Sequence, residues 1–128
     1  MLGRINMKRD FELVRKLLAY FEEKSGPEHV EVPSIEGYDE LTIKYHLVLL
    51  YDAGFLRCEP VTSSSSDRVI YVLPFELTWD GHEFLAKIRD DGLWQKTKDA
   101  ILSKGGQLTV NTITTVATLL MKKMIGLA

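Results

Sequence analysis

The segment from Leu41 to Leu56 places the strongest constraint on the fold of this chain. Its apolar residues Ile43, Leu47 and Leu50 recur at helical spacing, and Phe55 opens an extended run directly afterwards. Gly54 stands between the two patterns. Glycine can adopt the left-handed backbone conformation that ends a helix without a Cβ clash. The segment therefore predicts a helix over residues 39–53 that turns sharply into a strand.

The residues that follow predict a hairpin and another helix. Residues 56–61 and 69–73 have strand character, and a serine-rich loop over residues 62–67 joins them. Leu77 then leads into a helix for which Thr78 is a suitable cap. A helix, two strands around a polar loop and a further helix are typical of a winged helix-turn-helix. We predict this α+β fold, with residues 39–53 as the recognition helix.

The chain before the recognition helix predicts an unusual version of this fold. An apolar stripe predicts a first helix over residues 7–24, and alternation over residues 29–32 predicts a short edge strand. Between residues 25 and 38, glycines and prolines leave no room for the usual positioning helix. We therefore expect that helix to be reduced or missing.

The chain after the hairpin predicts a helical extension. Phe84, Leu85 and Ile88 mark the inner side of the helix after the hairpin, which continues, or restarts as a second segment, until Gly105. Residues 108–127 then carry an apolar seam at heptad spacing. The seam consists of Val110, Ile113, Ala117, Leu120, Met124 and Leu127. We divide the chain into an N-terminal extension (1–6), a winged-helix domain (7–104) and a C-terminal amphipathic helix (105–128).

Composition and charge indicate a cytoplasmic protein with basic ends. The net charge is −2, but residues 17–99 hold eight basic and sixteen acidic residues, whereas residues 1–16 and 100–128 each carry +3. Cys58 is the single cysteine, which fits a reducing compartment. No secretory signal is visible, and no run reaches the roughly 20 apolar residues that span a bilayer. We expect no membrane partner.

Several short motifs in combination resemble a known family. They are Met7-Lys-Arg-Asp10, Leu13-Val-Arg-Lys16, Glu36-Gly-Tyr38, Tyr45-His-Leu47 with Leu50 and Ala53-Gly54, Leu77-Thr-Trp79, Gly81-His-Glu-Phe-Leu85 and Trp94. Together they resemble a domain-of-unknown-function family of bacterial, phage and prophage proteins. The resemblance implies a winged-helix protein without catalytic residues, and it places residues 1–6 before the family's usual start.

The predicted function is DNA binding by a phage- or prophage-related transcriptional regulator or accessory factor. Helix 39–53 would present Thr42, Lys44 and Tyr45 to double-stranded DNA. Basic residues outside this helix would attract phosphates. They are Lys8, Arg9, Arg15, Lys16 and Arg68.

A protein-interaction module is the alternative. Val48 and Leu49 would face outward where a DNA reader carries polar or basic residues, which favours a protein partner. The C-terminal seam would fold back on these two residues or pair with a second copy of the chain. We expect the second arrangement, a homodimer.

Catalytic and metal-binding patterns are missing from the sequence. His29, His46 and His82 are dispersed, and no histidine–cysteine pair has zinc-site spacing. Cys58 on a predicted strand is read as a small packed residue, and His46 as a packed histidine. Trp79 and Trp94 are expected to be packing residues that seat the helix after the hairpin. We predict no enzyme activity, no metal and no cofactor.

Overall fold

A computed structural model describes residues 7–127, so the predicted extension over residues 1–6 lies outside the described residues. Within that range the chain forms five helices and one two-stranded antiparallel sheet, which confirms the α+β class. The elements are α1 (Phe11–Glu22), α2 (Glu40–Asp52), β1 (Leu56–Thr62), β2 (Val69–Leu77), α3 (Trp79–Ile88), α4 (Asp91–Leu102) and α5 (Val110–Met124).

These elements belong to two compact units, one up to His82 and one from Glu83, with the division inside α3. The domain boundary predicted at residues 104–105 lies in the turn between α4 and α5 and stays a prediction. In the first unit, α1 and α2 pack against each other and against β2. The core side chains of these helices are those that the sequence periodicity indicates. They include Val14, Leu17, Leu18, Phe21, Ile43, Leu47 and Leu50.

Helix α1 begins four residues later than the sequence pattern predicts. Asp10 has an extended backbone, and its carboxylate accepts hydrogen bonds from the amides of Glu12 and Leu13 at 2.8 and 3.3 Å. These bonds satisfy amides that have no partner inside the helix, so the helix starts at Phe11. Residues 7–10 therefore form a non-helical segment, which leaves them able to contact other elements.

Both ends of α2 follow the sequence signals. The Asp39 carboxylate accepts from the amide of Thr42 at 2.8 Å and caps the start, as predicted. At the other end Gly54 has φ of 80°, and the amides of Gly54 and Phe55 donate to the carbonyls of Tyr51 and Leu50. This is the Schellman motif, in which a glycine in the left-handed conformation allows two carbonyl groups at the end of the helix to accept hydrogen bonds that they would otherwise lack.

The hairpin is longer than predicted because β2 continues through Pro74 to Leu77. Proline cannot donate to a strand ladder, and Pro74 pairs with Cys58 where the register shifts between Arg57 and Cys58. The edge strand predicted for residues 29–32 does not form. A single backbone bond, from the Val30 amide to the Pro74 carbonyl at 3.1 Å, joins that segment to the hairpin. No helix forms between Glu22 and Glu40.

The start of α3 is fastened to the end of α2. The Thr78 hydroxyl donates to the Gly54 carbonyl, and the Thr78 amide donates to the Phe55 carbonyl at 3.0 Å. Thr78 also accepts from the amide of Gly81 at 3.0 Å and so caps α3, as predicted. A Cβ at Gly81 would lie 2.1 Å from the Phe55 carbonyl oxygen. Glycine is therefore required for this close approach.

In the second unit α4 packs against α5. Asp90 caps α4 through the amide of Leu93 at 2.8 Å, which makes α4 a separate segment after α3. Phe84, Leu85, Ile88 and Trp94 are buried, as predicted. Trp79, at the first turn of α3, is 78% exposed, so the prediction that it packs is wrong. Among residues 7–127, no helix combines the length and the apolar character needed to cross a membrane.

Candidate nucleic-acid interface

The segment over residues 7–10 is held against α2 by side chains of that helix. His46 is 1% exposed, and its Nε2 accepts a hydrogen bond from the Asp10 amide at 2.8 Å. Its Nδ1 lies 2.9 Å from the Thr42 carbonyl oxygen, which can only accept. Both bonds require the neutral tautomer protonated at Nδ1. His46 is thus a packed histidine, as predicted, and it joins α2 to the start of α1.

Tyr45 provides the second attachment. Its hydroxyl donates to the Met7 carbonyl at 3.1 Å, and its ring meets the His46 ring edge to face at 5.7 Å. Adjacent residues of α2 therefore contact both ends of the segment, so residues 7–10 run beside the helix. The Tyr45 hydroxyl, for which the sequence predicts a DNA contact, is occupied by this internal bond.

Asp10 connects a third element to the same place. One carboxylate oxygen caps α1, and the other accepts from the Tyr38 hydroxyl at 3.0 Å. Burial, followed by the hydrogen bond and charge of Asp10, raises the pKa of Tyr38 to about 12. Asp10, Tyr38 and His46 all belong to motifs of the family resemblance, yet sequence reasoning assigns them no joint role. The motifs are the available signal, but the pairing depends on the tertiary fold.

Two exposed basic residues lie in the attached segment. The side chains of Lys8 and Arg9 are exposed, and the Arg9 guanidinium lies 4.6 Å from the centre of the Phe11 ring. Because the segment is bonded at Met7 and at Asp10, Lys8 and Arg9 sit alongside α2 rather than on a separate arm. The structure thus brings two predicted phosphate contacts next to the predicted recognition helix.

Lys44 is partly engaged by neighbours in the first unit. Its ammonium lies 3.4 Å from the Glu40 carboxylate and 5.2 Å from the centre of the Tyr71 ring. Burial is the largest cause of the raised pKa of Tyr71, whose hydroxyl has no hydrogen-bond partner within residues 7–127. The Lys44–Glu40 pair is solvent-accessible, so it contributes only about 0–1 kcal/mol and can be exchanged for a phosphate at low cost.

The remaining predicted DNA contacts lie at separate places in the first unit. Thr42 is half-buried, and its backbone serves the Asp39 cap and His46. On α1, Arg15 is half-buried and Lys16 is exposed. Arg68 is exposed at the end of the serine loop, where its carbonyl accepts from the Ser63 amide at 2.8 Å.

The residues predicted to form protein interfaces differ in exposure. Val48 and Leu49 are half-buried, so they stand less far into solvent than the sequence predicts. In the α5 seam, Ile113 and Ala117 are buried, Val110 and Leu120 are half-buried, and Met124 is exposed. Helix α5 packs on α4 within its own unit, so the first half of the seam already has a covering element. Large apolar side chains are most exposed toward the end of α5.

The surroundings of Cys58 disfavour nucleophilic chemistry at its thiol. This half-buried thiol has its pKa raised to about 12, first by burial and then by the charge of Glu76. At neutral pH it remains protonated, and a thiol is a poor nucleophile. In residues 7–127, no cluster of three or more His, Cys, Asp and Glu side chains has the geometry to hold a metal ion.

Comparison with known proteins gives a family and a relative. A family model described as "Hypothetical protein (DUF2513)" matches residues 8–107. An uncharacterized protein of Haemophilus influenzae is 35% identical over 121 residues, which cover 94% of this chain and 100% of the relative. No solved structure matches the chain.

Proposed function

The chain belongs to the DUF2513 family, and we propose that it is a non-enzymatic DNA-binding protein with α2 as its recognition helix. In this proposal the first unit is a winged helix-turn-helix without a positioning helix, and β1, β2 and the loop between them form the wing. The ligand is double-stranded DNA in the cytoplasm. The setting is the one that the family resemblance implies, a regulator or accessory factor of phage or prophage origin.

The observation that carries this proposal is the attachment of residues 7–10 to α2. The bonds from Tyr45 to Met7 and from Asp10 to His46 hold Lys8 and Arg9 beside the helix. A helix in the major groove lies between two phosphate backbones, so cations at its side can reach phosphates while the helix reads base edges. Lys44 on the helix and Arg68 at the wing add two further cations.

The proposal is tested by mobility shift with the full chain and a random duplex pool at low salt. We expect the chain to retain duplex, and the double variant Lys8→Glu/Arg9→Glu to lose most of that retention. Lys96→Glu/Lys104→Glu is the matched control, because it makes the same charge change at exposed positions of the second unit. Absence of a retained duplex, or equal loss in both variants, would refute the proposed interface.

A protein-interaction module remains the second candidate because of Leu41. This residue of the first turn of α2 is 62% exposed and stands next to the exposed acid Glu40. An exposed leucine beside a carboxylate suits a protein surface better than a DNA backbone. Leu41→Ser separates the two functions: duplex retention should be unchanged if α2 binds DNA, whereas a protein complex formed through this turn should be lost.

A further inference from the structure

Trp79 is the apolar residue of the Leu77–Leu85 motif that the fold leaves exposed. Leu77, Phe84 and Leu85 are buried, Thr78 caps α3, and Gly81 permits the contact with Phe55. Trp79 lies among them with 78% of its surface exposed. An exposed indole is a large apolar surface in water, and tryptophan is among the residues most enriched at binding hot spots.

Exposed carboxylates stand where α3 begins and where α2 ends. Asp80 follows Trp79 on α3, and the bonds of Thr78 to Gly54 and Phe55 hold the start of α3 against the C-terminal end of α2, where Asp52 is exposed. Elsewhere in the chain, aromatic rings have cations over them: Lys98 lies 5.3 Å from the centre of the Trp94 ring. No such contact is found for Trp79 among the described residues. The site therefore suits a ligand that carries both apolar groups and positive charge.

The end of α5 has this chemistry. Lys122 and Lys123 are exposed there, together with the large apolar side chains of Met124, Ile125 and Leu127, the last 72% exposed. Residues 100–128 contain three lysines and no acid. Gly126 has φ of 80°, and the Leu127 amide donates to the Lys122 carbonyl at 2.8 Å, so the helix ends in a defined turn.

We propose that Trp79, together with the exposed carboxylates of Asp52 and Asp80, is a docking site for the α5 tip of a second copy of the chain, which is the end of α5 and the turn after it (residues 121–127). The α5 tip would place the ammonium group of one of its two lysines over the indole face and that of the other near Asp52 or Asp80. The apolar side chains of the tip would cover the edge of the ring. In a two-fold dimer each copy supplies one tip and one tryptophan, so the contact forms twice. This contact takes the place of seam-to-seam pairing of α5 in the predicted homodimer, and it is independent of DNA binding.

Charge complementarity selects a second copy as the occupant. Asp52 and Asp80 are exposed carboxylates of the first unit, and Lys122 and Lys123 are exposed ammonium groups of the second unit, so every copy of the chain carries both charges of the contact. Attraction between opposite charges favours this contact. Repulsion between like charges disfavours the pairing of two basic α5 tips side by side. The seam that would pair two α5 helices directly is already half covered, since Ile113 and Ala117 are buried.

A complementation experiment in sedimentation, without DNA, tests the contact. Trp79→Ala and Lys122→Glu/Lys123→Glu should each weaken the dimer roughly tenfold or more, the scale of a hot-spot truncation. Ile70→Ala, which also removes an exposed apolar side chain, and Lys96→Glu/Lys104→Glu should not weaken it. Mixing the two weakened variants should restore heterodimer, because one tryptophan and one basic tip remain to form a single contact.

Fluorescence quenching supplies a second readout on the unmodified chain, which has two tryptophans. Trp94 is buried, so acrylamide should quench Trp79 in dilute protein and progressively less of it as concentration rises. Trp79→Phe, which leaves only Trp94, should show no such change. In the quenching experiment, the proposal is overturned if Trp79 stays fully quenchable in a dimer. In sedimentation, it is overturned if the chain does not dimerise, if Trp79→Ala dimerises normally, or if the mixture of the two weakened variants stays monomeric. A normal Trp79→Ala dimer would leave dimerisation itself, and DNA binding, standing.

Discussion

Asp10 performs several structural tasks at once in the first unit. Its carboxylate caps α1 and accepts from Tyr38, while its amide donates to His46 on α2. Asparagine could keep part of the cap, but only a carboxylate offers two equivalent charged acceptors for these donors. The motif residues Asp10, Tyr38 and His46 thus hold three chain segments together.

Removal of the Tyr38 hydroxyl should destabilise the chain in a pH-dependent way. Tyr38→Phe should lower the free energy of unfolding by about 1 kcal/mol at neutral pH, the scale of one hydrogen bond. The folded pKa of about 12 lies above the ordinary 10.0, so this tyrosine's contribution is complete below pH 10 and is lost as pH rises through 12. Urea unfolding of both proteins should therefore show a difference that shrinks across that range. A difference that grows would contradict the assignment.

The close approach at Gly81 predicts an intolerant position. Gly81→Ala should lower the free energy of unfolding by about 1–3 kcal/mol, because its Cβ would lie 2.1 Å from a backbone oxygen. Gly92→Ala is the control: its Cβ meets only the Asp90 carboxylate at 3.3 Å, and alanine favours the helix. Thermal unfolding should separate the two, and equal stability of both variants would show that α3 can move away from Phe55.

Residue roles can be predicted from the sequence only where local chemistry decides them. Asp39, Thr78 and Gly54 act on neighbours within a few positions, and the structure confirms all three. The partners of Asp10 lie 28 and 36 positions away, so spacing cannot reveal them. The prediction for Trp79 is wrong because an aromatic residue at helical spacing usually packs, whereas the first turn of α3 leaves this one in solvent.

At the level of elements, helix ends decide where the hairpin begins. The left-handed Gly54 ends α2 and directs Phe55 toward β1, and Gly105 and Gly126 end α4 and α5 with the same positive φ. The sequence signal at such a glycine is strong because few other residues adopt this conformation. Strand ends are less predictable: Pro74 indicates a stop, yet the register shift at Cys58 lets β2 continue through it.

Substitution at Gly54 should therefore destabilise the chain more than the addition of one methyl group would suggest. Gly54→Ala should lower the free energy of unfolding by about 1–2 kcal/mol, the penalty for an L-residue in the left-handed region. Among residues 7–127, and apart from Gly54 and its two chain neighbours, no atom lies within 4 Å of the added Cβ, so the penalty would come from the backbone alone. Gly54→Asn should be less destabilised, because asparagine tolerates this region. Chemical denaturation checks the order, and an alanine variant as stable as the parent would contradict it.

At the scale of the whole molecule, charge distribution connects the fold to the proposed function. The net charge of −2 conceals a basic stretch over residues 1–16, and the structure attaches the part of it that carries Lys8 and Arg9 to α2 through Met7 and Asp10. Counting charges along the sequence finds the basic segment but cannot predict its location, because the attachment depends on the buried His46. The α+β class can be predicted from pattern, whereas the candidate interface requires the tertiary contacts.

The most direct test of the proposed interface is the salt dependence of duplex binding, measured by fluorescence anisotropy. The logarithm of the association constant falls with the logarithm of salt concentration, and removing one phosphate contact should make this negative slope shallower by about 0.9. Lys8→Ala/Arg9→Ala should therefore make it shallower by about 1.8 relative to the parent chain, since two such contacts are removed. Lys96→Ala/Lys104→Ala should leave the slope unchanged. An unchanged slope in the Lys8/Arg9 variant would show that the segment beside α2 does not contact DNA.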